Sequence, residues 1–270
     1  MDCLSSGFAD VDHSEDSSLF SSCLETLNSL PYFQDYKRQS FELMNVRPGS
    51  VVLEVGCGLG FDAFALARIV GGSGRVVAVD SSRTMLQKAR CRAEGSGLCI
   101  DFRLEDAGHL EIEDNSFDCA RVDRTLQHVP EPKKVLEEMA RVTKSGGCIL
   151  AYEPDWGTFT IGSADRQITR KIAEFWCDTF KSGWIGRYLY RYLQEIGLED
   201  VRISPSTLVI TKFDLANKVF DIFKNAEKAM NQGMVSSSEA TGWLKELQED
   251  DRKGSLFCSY TGFMAWGRKP

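Results

Sequence analysis

Hydrophobic and polar positions along the chain alternate between two periods. Short runs that are apolar at most positions, Val51–Val55, Arg75–Asp80, Ile100–Leu104, Phe117–Val122 and Cys148–Glu153, are separated by longer stretches with helical spacing at Phe61–Val70, Thr84–Glu94 and Lys133–Thr143. Nearly continuous apolar runs fit strands covered on both faces, and the intervening spacing fits amphipathic helices. The alternation predicts an α/β fold, a doubly wound, Rossmann-like, mostly parallel sheet with helices on both sides. Ahead of it, the Ser/Asp-rich residues 1–18 read as a mobile acidic arm, and 19–48 as helices ended by the Pro48-Gly49 turn. Beyond Glu153 the pattern changes: 162–182, 187–196, 214–230 and 236–250 read as helices, 201–203 and 208–212 as strand material, and Leu256–Gly267 as a closing β-run. We therefore expect residues 49–270 to form one domain, with helical lid insertions at about 157–197 and 214–250 over the mouth of its site.

Composition narrows the function classes. With 270 residues, 43% hydrophobic and 26% charged, the chain has an ordinary buried core, which excludes a disordered or fibrous protein. Residues 1–30 carry six acids and no Lys or Arg, so they account for all but one unit of the formal charge of -7. Nothing resembles the basic footprint that binds phosphate backbones, so nucleic acid is not an expected partner. No apolar run reaches membrane-spanning length, and no export signal is visible. The nine cysteines are scattered, with no C-x-x-C pair and no histidine at ligand spacing, which points to reduced thiols, a cytoplasmic location and no metal site.

Ligands of open α/β sheets bind beyond the carboxyl ends of the strands. There the first strand enters Gly56-Cys57-Gly58-Leu59-Gly60, a turn that lets backbone approach a ligand closely. Asp80 ends the second strand, twenty residues past Gly60, suitably placed for two ribose hydroxyls, and Asp106 follows the third, suitably placed for an adenine amino group. A nicotinamide dinucleotide would want G-x-G-x-x-G and a helix N-terminus open to pyrophosphate. Here Phe61 stands where that pattern wants glycine, and Glu54 lies just inside the turn, where an acid favours an ammonium group. Glycine turn, ribose acid, adenine acid and ammonium-facing acid together describe S-adenosylmethionine. An NAD(P)-dependent oxidoreductase and a non-catalytic S-adenosylmethionine-binding protein are the alternatives.

The segment from about 46 to 153 resembles the class I S-adenosylmethionine-dependent methyltransferases, in the small-molecule branch similar to ubiquinone and menaquinone biosynthesis methyltransferases. The resemblance is carried by Val52-Leu53-Glu54-Val55-Gly56-Cys57-Gly58-Leu59-Gly60, Val79-Asp80-Ser81-Ser82, Glu105-Asp106-Ala107, Leu126-Gln127-His128-Val129-Pro130 and Lys144-Ser145-Gly146-Gly147. It implies a seven-stranded sheet with one reversed strand near its end. It also implies Gly56, Gly58 and Gly60 against the methionine and ribose, Asp80 on the ribose, Ser81 and Met85 flanking the adenine, Asp106 and Ala107 at its edge, and the Arg124 backbone at the methionine amino group. Arg124 departs from the family, which more usually has a small residue there. Tyr32, Tyr36 or Arg38 of the preceding helix are candidates for holding the amino-acid end.

Methyl transfer from a sulfonium needs alignment more than an activated nucleophile, but a phenol or ammonium acceptor must lose a proton. His128 is the first candidate base, with Glu153 and Asp155 as rivals. Aromatic residues crowd positions 156–192, and Trp156 and Trp184, both placed in loops, are the pair expected to face a small aromatic or hydrophobic acceptor. That acceptor is the expected partner, and a homo-oligomer is left open.

Overall fold

Val51–Val55 (β1), Arg75–Asp80 (β2), Ile100–Leu104 (β3), Phe117–Asp123 (β4), Thr143–Ile161 (β5), Glu199–Ile210 (β6) and Cys258–Arg268 (β7) build one sheet in the order β3-β2-β1-β4-β5-β7-β6. β1 to β5 pair in parallel, and β7 runs antiparallel to both of its neighbours. The structure, a computed structural model, describes residues 7–270. Its helices are Ser17–Ser29 (α1), Pro31–Leu43 (α2), Phe61–Val70 (α3), Arg83–Ala93 (α4), Pro132–Val142 (α5), Arg166–Asp178 (α6), Ile185–Glu195 (α7), Phe213–Phe220 (α8), Ile222–Asn231 (α9) and Ser237–Lys253 (α10).

The period of two in the strands divides their side chains between two cores. Val52, Val76 and Ala78 join one core with Ala63, Leu66 and Val70 of α3, while Leu53, Val55, Val77 and Val79 join the other with Leu136 and Met139 of α5 and Leu189 of α7. Strands so covered can carry no polar face, which is why they read as continuous apolar runs. The order of connection reverses between β1 and β4, and the crevice beyond their carboxyl ends is where a ligand can enter.

The structure departs from the sequence reading in three places. β5 runs on to Ile161 instead of stopping at Glu153, because β7 pairs with it as far as Ile161↔Cys258. A register shift between Asp155 and Thr160 absorbs the Gly157 region that had looked like a loop. β6 is one strand through Pro205, tolerable because it pairs only with β7 at the sheet edge. Finally, the stretch read as a mobile arm is packed where it is described. Residues 1–6 lie outside the described residues, but Val11 is buried, and Phe8 packs edge-on against Phe20 with ring centroids 4.9 Å apart. Asp12 accepts bonds from Ser82 Oγ (2.6 Å), Arg83 N (2.8 Å) and Thr84 N (3.0 Å), satisfying the open N-terminus of α4 from far away in the chain.

Candidate active site

A cavity of about 300 Å³ opens beyond the carboxyl ends of β1, β2 and β4. Its floor is the turn after β1, where Gly56 N and Cys57 N donate to Val79 O at 2.8 and 3.0 Å. Gly56 has φ 70°, and a Cβ there would lie 2.0 Å from Thr125 Oγ1, so only glycine lets this turn pass under the β4 loop. Gly58 lines the cavity, and Gly60, also left-handed, opens α3 without lining it.

Asp80 ties the turn to the next element. Its Oδ2 accepts from Gly58 N (2.7 Å) and its Oδ1 from Ser82 N (2.8 Å), which leaves lone pairs on both oxygens at the cavity wall. Ser81, Met85, Asp106 and Ala107 line the same part. Asp106 is braced by Gly108 N at 2.9 Å.

Behind the turn lies a buried charge cluster. Arg121, opposite Glu54 in the β1–β4 register and fully buried, donates to Glu54 Oε1 (2.5 Å), Asp62 Oδ2 (3.0 Å), Asp123 Oδ2 (2.9 Å) and Ser40 Oγ (2.9 Å). Lys37 adds a second cation, its Nζ 2.8 Å from Asp62 Oδ1. Glu54 Oε2 is buried and has no hydrogen-bond partner among the described residues, although Glu54 lines the cavity. Burial pushes the Glu54 carboxyl up to about 8, with Arg121 pulling the other way. A buried acid with one idle oxygen at a ligand cavity is prepared for a cation.

Several residues expected at the site lie elsewhere. Glu153 is fully buried beneath the β4 loop, where it accepts Thr125 N (2.7 Å) and Leu126 N (2.5 Å). It holds the loop and does not line the cavity. Asp155 is consumed by Arg187, whose Nε and Nη2 donate at 2.5 and 2.7 Å, and it too lies outside. Trp184, 48% exposed, stacks under the same Arg187, whereas Trp156 lines the cavity and donates from Nε1 to Gln127 Oε1 at 2.7 Å. Arg38 pairs with Asp35 at the surface. Tyr32 bonds to Tyr152 Oη (2.6 Å) and Ser206 O (2.9 Å), outside the lining. Tyr36 stacks on Tyr152 and donates to Asp123.

His128 lines the cavity between the rings of Phe8 and Phe180, at centroid distances of 5.4 and 5.8 Å. Arg124 lines it as well. Lys37, Phe33, Trp176 and Tyr260 are lining residues that the sequence reading did not select. Helical phase would have found the first two: Phe33, Tyr36, Lys37, Ser40 and Phe41 share the buried face of α2, and Arg38 does not. No comparable local signal marks Tyr260, which arrives from the last strand.

A family profile described as a methyltransferase domain matches residues 47–197, more than half of the chain. The chain belongs to this methyltransferase family. An uncharacterised 37.1 kDa protein of transposon Tn4556 from Streptomyces fradiae is 35% identical over 84% of this chain, which spans 66% of that relative's length. Demethylmenaquinone methyltransferase from Bacillus cereus is 29% identical, covering 72% of this chain and 90% of that enzyme. Among solved structures, phosphoethanolamine N-methyltransferase 2 of Haemonchus contortus, in complex with S-adenosylmethionine, has the same fold. Its TM-score is 0.60 at 16% identity, covering 97% of this chain and 60% of that one. The cofactor of this methyltransferase is S-adenosylmethionine, and the residues present fit it: an idle Glu54 oxygen beside the glycine turn, and Asp80 with lone pairs to spare.

Proposed function

We propose that this methyltransferase methylates a small, planar aromatic acceptor in the cytoplasm. The carrying observation is one cavity with two characters. The glycine turn, Asp80 and Asp106 line it together with the mutually packed rings of Trp156, Trp176, Phe180 and Tyr260, and Phe33 joins the lining from α2. The rings interlock, with Trp156 stacked on Phe180 at 4.9 Å and tilted against Tyr260 at 4.8 Å, and such faces favour flat apolar ligands. The similarity to a demethylmenaquinone methyltransferase supports a ring-shaped acceptor. Eight free cysteines among the described residues support a reducing compartment.

S-adenosylmethionine supplies a methyl group already bonded to a cationic sulfur. The protein then has to align the acceptor and exclude water, and alignment alone is worth roughly 7–11 kcal/mol. Asp80 takes the ribose hydroxyls, Ser81 and Met85 flank the adenine, and Asp106 with Ala107 meets its edge. Gly56 and Gly58 pass against the ribose and methionine, Glu54 Oε2 receives the ammonium, and the Arg124 carbonyl retains a lone pair for it beside the 2.9 Å bond from Gln127 Nε2. His128, held between two rings in the aromatic part, accepts the acceptor's proton.

Incubation of the protein with methyl-labelled S-adenosylmethionine and a panel of hydroxylated naphthalenes, quinols and aliphatic amines tests the reading. Labelled aromatic product is the expected result. Label appearing only in aliphatic acceptors would overturn the aromatic assignment, and donor binding without turnover on the panel or on a cell extract would favour a non-catalytic binding protein.

A further inference from the structure

Arg124 follows β4 with a left-handed backbone, φ 52°, a conformation that a non-glycine residue rarely adopts and that persists only where its surroundings enforce it. Here they do: its N–H donates to Tyr152 O at 2.9 Å, its carbonyl accepts from Gln127 Nε2 at 2.9 Å, and Glu153 grips the next two amides. The turn delivers the side chain to the cavity wall with its guanidinium 4.8 Å from the centre of the Phe33 ring.

Once there, the cation is undersupplied. Nε is buried and has no hydrogen-bond partner, and its ion pair with Asp123 is a long one, at 3.6 Å. That carboxylate is already engaged by Tyr36 Oη at 3.0 Å and Arg121 Nη2 at 2.9 Å. Arg121, by contrast, has all three of its nitrogens hydrogen-bonded. A buried charge is retained at a cost unless something compensates it, and a planar guanidinium with idle donors matches the two oxygens of a carboxylate.

We propose that Arg124 is a specificity-determining residue, and that it receives a carboxylate carried by the aromatic acceptor. The proposal rests on the aromatic reading above. The donor's own carboxylate is the rival source, and the neighbouring Lys37, whose Nζ is 2.8 Å from Asp62 and 3.8 Å from Asp123, is the other cation that could take it.

The test is calorimetric titration of the protein saturated with S-adenosylhomocysteine, using 1-hydroxy-2-naphthoate and its neutral methyl ester as probes. Wild type, Arg124→Lys and Arg124→Met are compared, and the affinity of each for S-adenosylhomocysteine is measured separately. Wild type is expected to favour the acid by at least about tenfold, Arg124→Lys to keep part of that preference, and Arg124→Met to lose it. Equal binding of acid and ester by wild type, which needs no variant to fold, would overturn the proposal and leave the aromatic reading standing. So would a preference that survives in Arg124→Met, or a tenfold loss confined to S-adenosylhomocysteine, which would give the guanidinium to the donor. Failure of both probes to bind would remove the aromatic reading itself and this proposal with it.

Discussion

Replacing Asp80 by alanine distinguishes a donor-binding acid from an ordinary strand-end turn residue. One carboxylate holds Gly58 N at 2.7 Å and Ser82 N at 2.8 Å, and the lone pairs that remain are the ones a ribose diol would use. Hydrogen bonds to a charged group contribute roughly 1.5–3 kcal/mol each, so losing two to the ribose weakens donor binding by about 3–6 kcal/mol, or roughly 10²–10⁴ in Kd. Loosening of the turn acts in the same direction, and a thermal melt of the unliganded protein reports it separately. Asp80→Asn keeps the shape and one carbonyl oxygen but loses the charge, and is expected to fall between alanine and wild type. Titration calorimetry with S-adenosylhomocysteine measures all three proteins. A Kd for Asp80→Ala within about threefold of wild type would refute the assignment.

Three further outcomes follow from the same geometry. His128→Ala should lower kcat about 10²-fold or more with donor affinity unchanged, measured by product formation at saturating donor; a loss confined to donor affinity would make His128 a wall of the donor site instead. Glu54 is held near 8 by burial, and a bound ammonium favours its ionised form, so binding releases a proton. Affinity for S-adenosylhomocysteine should therefore rise from pH 6 to 8, and Glu54→Gln should flatten the rise in calorimetric titrations. Asp12→Ala leaves the Arg83 and Thr84 amides at the start of α4 without their acceptor, which should cost about 1 kcal/mol in urea unfolding at pH 7. Partial burial raises the Asp12 carboxyl, but bonds from Ser82, Thr84 and Arg83 outweigh it and lower it to about 2. This contribution is complete above the ordinary value of 3.8 and disappears as pH falls through about 2.

The chain's own pattern determined the alternation of strands and helices, the glycine turn and the acids that end β2 and follow β3, because these follow from local period and backbone freedom. It also placed His128 and Trp156 at the carboxyl end of the sheet, but Trp156 lies within β5 and not in the loop expected for it. Tertiary packing alone decided which strand-end acids meet the cavity. Glu153 and Asp80 look equivalent in sequence, yet one turns under three consecutive amides of the β4 loop while the other faces the opening. Asp155 was claimed by an arginine on α7, and the acidic N-terminal stretch was recruited to the start of α4, where Ser82 Oγ accepts only Met85 N and Asp12 takes the Arg83 and Thr84 amides. Such pairings join residues tens of positions apart. They depend on which buried polar group lacks a partner once the core has closed, a quantity that no window of sequence contains.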